Sequence, residues 1–229
     1  MTTDKVYRNN NQGKKFIETD PLGGKDPYSA SKVAVENVAS AWQHVSSLHG
    51  GPKILTVRAG NVIGGGDFAE NRLIPDLVRS ILIEKKDVTL RNPESTRPWQ
   101  HVLDSLVGYI LALESSLLGN PESTFNFAPD GRNLSVKEVA ESFIKLSGEK
   151  LNLKLLNTKT NKEALTLNLN ATKAKLILNW ECNWTQREAI NQSFSWWANV
   201  LNQKMLPIEA CMLEINALIQ NLKSQDWSK

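Results

Sequence analysis

Tyr28 and Lys32 are the residues of this sequence whose types and spacing could do chemistry together. On a helix, positions i and i+4 lie one turn apart on the same face, so the phenol and the ammonium would point together. A free tyrosine, with a pKa of about 10, is a poor base at neutral pH. A neighbouring ammonium stabilises the phenolate and lowers that value. Such a tyrosine can take a proton from a sugar or alcohol hydroxyl while hydride leaves for a nicotinamide. Taken alone, the pair equally fits an ordinary helix with a half-buried tyrosine and a solvated lysine.

The element that must hold the pair is announced just before it. Asp26 suits an N-cap and Pro27 the first helical position, where a missing N–H costs nothing. From Tyr28 to about Leu48 the residues Val33, Val38, Ala41, Trp42 and Val45 recur at helical spacing and predict one apolar face. Asn9 to Pro27 is polar and glycine-bearing, a predicted loop leading into this helix. Before it, Thr2 to Tyr7 reads as a strand end running into that loop. After it, Lys53 to Arg58 reads as a buried strand ending at Ala59-Gly60-Asn61. Asn61 then sits at the carboxyl end of a strand, where α/β sheets bind ligands, although a turn asparagine reads the same way.

Downstream the spacing predicts a helix from Arg72 to about Lys85, a short strand over Val88 to Leu90 and a loop from Ser95 to Trp99. A long helix follows from His101 to about Leu118, with Val102, Leu106, Tyr109, Ile110 and Leu113 facing inward. Phe125 to Pro129 is a strand ending in a turn. Ser135 with Glu138 three residues on is a capping box, opening a helix that should end at Gly148. Leu151 to Leu156 reads as an edge strand, and Leu165 to Asn170, alternating at period 2, as another. Helices are expected over Ala171 to Trp180, Gln186 to Gln203 and Pro207 to Lys223, the last a candidate docking or dimer element.

With 229 residues, 41% hydrophobic and 22% charged, the chain can bury a substantial core as one large domain or two small ones. A net charge of +3 without a long basic block argues against nucleic acid or a membrane surface as partner, while a mildly positive pocket suits a diphosphate. Cys182 and Cys211 are the only cysteines, which suggests a reducing compartment and no structural metal. No apolar run approaches a bilayer span and the N-terminus is polar, so a cytoplasmic protein is expected.

Several runs fall in the order seen in one family. These are Thr2-Thr3-Asp4-Lys5-Val6-Tyr7, Pro21-Leu22-Gly23-Gly24, the Tyr28/Lys32 helix, and Val57-Arg58-Ala59-Gly60-Asn61 through Asp67. Arg91-Asn92-Pro93 and Arg97-Pro98-Trp99-Gln100-His101-Val102 complete the set. Together they resemble the extended short-chain dehydrogenase/reductases that act on nucleotide sugars, and among them the CDP-glucose 4,6-dehydratases, from about Thr2 to about Trp197.

The resemblance implies an α/β chain: the C-terminal part of a Rossmann-type parallel sheet (residues 1–63) followed by a smaller α+β substrate-binding region (64–229). The glycine fingerprint that cradles a dinucleotide pyrophosphate is absent from the sequence, since neither Gly23-Gly24 nor Gly64-Gly65-Gly66 has the GxGxxG spacing. The expectation is therefore a truncated or mis-started enzyme.

The same resemblance implies NAD as cofactor, CDP-glucose as substrate and a homodimer through paired long helices. Thr3 would hydrogen-bond the sugar C4 oxygen beside Tyr28. Asp4 would protonate the departing C6 hydroxyl, and Lys5 would help remove the C5 proton. Lys32 would contact the nicotinamide ribose. Asn61, Arg72, Arg97 and Asn126 would face the substrate, the arginines meeting the diphosphate. The lysine after Asp4 favours CDP-glucose, because dTDP-glucose enzymes have glutamate there. The alternatives are a related epimerase or reductase, which needs only the tyrosine, the lysine and a hydroxyl, and an inactive truncated fragment that keeps a nucleotide-sugar pocket. His101, Trp99 and the Trp196-Trp197 pair are expected to be structural.

Overall fold

The computed structural model describes residues 1–10, 13–156 and 167–224. The chain opens beside a strand: the Thr2 N–H donates to the Val57 carbonyl at 2.9 Å. It then tightens into a 3₁₀ turn, Asp4–Val6, whose N-cap Thr3 accepts from the Lys5 N–H. The predicted strand end at residues 2–7 is thus a capped turn. Hydroxyl capping at Thr3 gives the backbone an alternative to the ladder.

Strand β1 (Lys15–Phe16) lies within the stretch expected to be loop. Helix α1 (Pro27–His49) begins as predicted, with the Asp26 carboxylate accepting from the Ser29 N–H and Pro27 at its start; Gly50, left-handed at φ 68°, closes it. Next come β2 (Thr56–Ala59), β3 (Asn61–Ile63) and α2 (Leu73–Val78). The helix predicted to run to Lys85 passes into π-helical turns over Arg79–Ile83. Strand β4 (Val88–Leu90) is followed by β5 (Thr96–Arg97) and β6 (Trp99–His101), where a loop was expected. Both strands lie in buried surroundings that local pattern does not reveal.

Helix α3 (Val102–Leu117) leads to β7 (Thr124–Phe127), β8 (Leu134–Ser135) and α4 (Val136–Ser147), which has both halves of its capping box and ends at left-handed Gly148. Strands β9 (Leu153–Leu155) and β10 (Asn168–Leu169) and helices α5 (Thr172–Leu178), α6 (Gln186–Leu201) and α7 (Pro207–Ser224) complete the order. Residues 165 and 166 of the predicted 165–170 strand lie outside the described residues.

Among the described residues the ladders β1–β10, β2–β7, β3–β6 and β4–β9 are parallel and β5–β8 is antiparallel. Parallel strands with helical crossovers mark a Rossmann-type α/β fold. The β2–β7 ladder spans the boundary drawn at residue 63, pairing Thr56–Ala59 with Thr124–Phe127 in register. One core gathers Ile74, Leu77, Ile81, Phe143, Ile190 and Trp197 between α2, α4 and α6. A second joins Val57, Phe125 and Phe127 to Ala174 and Trp180, and a third packs Val6, Tyr7, Phe16 and Leu169 beneath the opening turn.

Two predicted inner faces turn largely outward, although Val33 on α1 and Tyr109 on α3 pack against the core as expected. On α1 the described side chains that are buried are Ser29 and Glu36, whereas Val38, Trp42 and Val45 are exposed, Trp42 by 58%. On α3 the buried residues are Asp104, Ser105, Gly108, Ala112 and Ser116, and Leu106, Ile110 and Leu113 are exposed. On α3 one contact is close: a Cβ at Gly108 would come within 2.4 Å of Phe127, while Tyr109 packs edge-on against the same ring at 5.5 Å.

Candidate active site

The opening turn packs against the first half of α1. Gly24, in the loop that leads into α1, lies against that helix's first turn: a Cβ there would stand 2.3 Å from the Ala30 nitrogen and 2.4 Å from the Ser29 carbonyl carbon. On this first turn of α1, Tyr28 is 51% exposed, with the Lys32 Nζ 5.8 Å from its ring centroid. The predicted juxtaposition of phenol and ammonium is present, on a side chain open to a ligand.

The neighbouring turn carries the other candidate groups. Asp4 is 0% exposed, and its Oδ1 accepts from the Thr3 hydroxyl at 2.9 Å and lies 3.7 Å from the Lys5 Nζ. Burial pushes the Asp4 carboxyl above its ordinary range, against the opposing pull of Lys5, Thr3 and Arg97. A carboxyl so placed holds its proton longer than a solvated one and can act as an acid. Its Oδ2 is buried without a hydrogen-bond partner. That oxygen faces the strand end at Gly60, where a Cβ would stand 3.6 Å from it and 2.7 Å from Pro98. Asn61 follows Gly60, and its Oδ1 is likewise buried without a partner.

Arg97, on buried β5, lies close enough to act electrostatically on Asp4 and donates to the Thr96 carbonyl. Asp4, Lys5, Asn61 and Arg97 are thus drawn from three separate stretches to one place. Pro98 also walls an open cleft of about 280 Å³ whose lining includes Lys15, Thr96, Pro129, Arg132 and Asn168.

Two expected substrate contacts stand elsewhere. Arg72, exposed at the N-cap of α2, pairs with Asp67 at 3.2 Å. Asn126 is fully buried, and its amide is committed, accepting from the Tyr7 hydroxyl at 2.7 Å and donating to the Phe16 carbonyl at 3.0 Å. In this structure it serves the scaffold. His101 is also internal, its Nδ1 accepting from the Leu103 N–H as the cap of α3, and Trp99 donates to the Leu134 carbonyl within the core.

Sequence reasoning passed over the charges beneath the site. Arg58, on β2, makes a two-pronged ion pair with Glu36, both contacts 2.9 Å, and donates to the Tyr7 hydroxyl at 2.7 Å. Glu36 stands two turns after Tyr28 on the Tyr28/Lys32 face. A lone acid on that face and a lone arginine inside an apolar strand were the available signals.

A family profile described as "NAD dependent epimerase/dehydratase family" matches residues 1–128. The chain belongs to this family. Over 204 residues it is 37% identical to a CDP-glucose 4,6-dehydratase of Salmonella typhimurium, covering 86% of this chain and 56% of that protein. A dTDP-glucose 4,6-dehydratase of Xanthomonas campestris is 25% identical over 206 residues, again 86% of this chain and 56% of the relative.

Among solved structures, the dTDP-glucose 4,6-dehydratase of Bacillus anthracis, crystallised with NAD, superimposes with a TM-score of 0.71 at 26% identity. It covers 86% of this chain and 60% of that one. A UDP-glucuronic acid 4-epimerase of Bacillus cereus, at a TM-score of 0.74 and 17% identity over 87% of this chain and 60% of that one, shares the fold. The chain therefore spans a little over half the length of these relatives. No helix among the described residues is long and apolar enough to cross a membrane.

Proposed function

We propose that this chain carries the acid–base and sugar-binding part of a nucleotide-sugar 4,6-dehydratase that converts CDP-glucose to CDP-4-dehydro-6-deoxyglucose. The observation that carries the proposal is Asp4: a fully buried carboxyl with a raised pKa and a partnerless Oδ2, set between Thr3, Lys5 and Arg97. A sugar epimerase or reductase of this family needs no acid beside its tyrosine, whereas eliminating water does.

NAD fits the residues present on one side. Tyr28, exposed, with half-buried Lys32 beside its ring, suits a nicotinamide and its ribose, while the GxGxxG cradle is not among the 229 residues. When bound, NAD accepts hydride from the sugar C4 and returns it at C6.

The side chains of this chain do the rest. Tyr28 takes the proton of the C4 hydroxyl, with Lys32 beside its ring and Thr3 donating to the same oxygen. Lys5 removes the C5 proton, which the neighbouring C4 carbonyl acidifies. Asp4 delivers its proton to the C6 hydroxyl, which leaves as water. As C6 regains hydride, Lys5 gives its proton back to C5, and the proton Tyr28 took from O4 replaces, through solvent, the one Asp4 gave up, so the net change is loss of one water with no net oxidation. Asn61 and Arg97 hold the substrate, and Lys15 and Arg132 in the adjoining cleft suit its diphosphate.

The test is to incubate the purified chain with NAD and CDP-glucose, with dTDP-glucose as control, and look for the 4-keto-6-deoxy product. Product from CDP-glucose alone is expected. Turnover that survives Asp4→Asn would point to an epimerase or reductase instead.

A further inference from the structure

The stretch that holds Thr3, Asp4 and Lys5 is tied down at both ends by one buried ion pair. At its start, the Thr2 hydroxyl donates to Glu36 Oε1. At its finish, the Tyr7 hydroxyl accepts from Arg58 Nη1 at 2.7 Å. Glu36 and Arg58 grip each other through two parallel 2.9 Å contacts, both side chains nearly inaccessible to water. Arg58 also donates to the Glu18 carbonyl at 3.0 Å, and the Glu18 carboxylate accepts from the Asn126 N–H at 2.8 Å.

A buried ion pair is weak evidence for stability, since desolvating two charges costs about as much as their attraction returns. Its better-attested use is to fix geometry. Here the geometry is informative, because Glu36 extends from the helix that presents Tyr28 and Lys32, and Arg58 from the strand that leads into Gly60 and Asn61.

We propose that Glu36 and Arg58 are positioning residues, a clamp that fixes the Thr3-Asp4-Lys5 turn against the Tyr28 helix and keeps Asp4 out of water. Neither touches the reacting atoms. Both act through Thr2 and Tyr7, which bracket the turn. The inference builds on the dehydratase reading for its consequence in turnover, but its structural content stands without it.

The test uses the full chain and three variants: Glu36→Gln, which removes the charge while keeping the shape; Arg58→Lys, which keeps the charge and loses the fork; and Thr2→Val, which frees one end of the turn and leaves the ion pair whole. The first readout is the titration of the Asp4 carboxyl by carbon-13 NMR, which needs neither substrate nor cofactor. The clamp predicts that Asp4 titrates above the ordinary range in the parent. In all three variants it should move toward that range, and a fourth, Glu36→Asp, should keep part of the shift. A merely structural pair would lower the melting temperature and leave the Asp4 titration where it was.

The second readout is turnover, expected to fall about 10- to 100-fold in kcat with KM little changed, the signature of misplaced groups. An Asp4 titration unchanged in Thr2→Val and in a folded variant of the pair overturns the clamp. A moved titration in a parent that shows no dehydration supports the clamp and counts against the dehydratase reading alone.

Discussion

On the proposed dehydratase reading Asp4 works as an acid at a cost in stability, and that cost is measurable. Its folded-state pKa is raised by burial, so the folded chain binds that proton more tightly than the unfolded one. Stability is therefore undiminished below the unfolded value of about 3.9 and falls as pH rises through the folded value. Asp4→Asn removes the charge and keeps an acceptor for the Thr3 hydroxyl. The variant should melt higher than the parent at neutral pH, and the gain should vanish as pH approaches 4, as a pair of calorimetric pH series would show. Dehydration should drop by roughly 100-fold or more, the usual contribution of a placed general acid. A site that is improved as structure when it is disabled as chemistry is one maintained for function.

At the scale of elements, Gly24 and the capping box of α4 make contrasting demands. Gly24 touches the backbone of the first turn of α1 and the Ser29 Cβ fixed to it, so the methyl group of Gly24→Ala meets nothing flexible that could move aside. The expected cost is about 1–3 kcal/mol, with Tyr28 displaced along with its turn. Activity should fall more than the modest loss in melting temperature suggests.

At α4, Glu138 accepts from Arg132 and from the Ser135 N–H, and these contacts pull its carboxyl down to about 2. Its pKa is depressed on folding, so its stabilisation is present above the unfolded value of about 4.3 and fades as pH falls toward 2. Ser135→Ala should cost about 1 kcal/mol, and denaturant melts of parent and Glu138→Gln should converge at low pH.

These two cases also mark what the sequence disclosed. The Asp26 cap, the Pro27 start and the Ser135 box are local chemistry, legible from a few adjacent residues, and all three are present. The turn at Asp4–Val6 and the strands β5 and β6 were not legible, because partners far along the chain decide them: Val57 holds Thr2, and Leu134 pairs with Arg97. The same holds at the site. Tyr28 and Lys32 announce themselves by spacing, whereas the burial of Asp4 and the grip of Arg58 on Tyr7 exist only once four segments meet.

For the whole molecule, the outward-facing stripes matter most. On α1 the exposed Val35, Val38, Trp42 and Val45 recur at steps of three and four, and on α3 Leu106, Ile110, Leu113 and Leu117 do the same. Steps of three and four are the seam of a two-helix coil, and contiguous apolar patches of this kind are rare on free surfaces. Helix α1 is the longer, at 23 residues against 16, so a second copy can bury more against it. Light scattering on the eluting chain should therefore give about twice the 25.6 kDa of one chain.

The double variant Val38→Glu with Trp42→Lys should elute as a monomer. Because both side chains are exposed, its melting temperature at low protein concentration should match that of the parent, separating lost association from lost folding. Leu113→Lys on α3 should leave the dimer intact. If it is that variant which dissociates while the α1 variant stays paired, the seam belongs to α3, and the helix bearing Tyr28 is left open along its outer face.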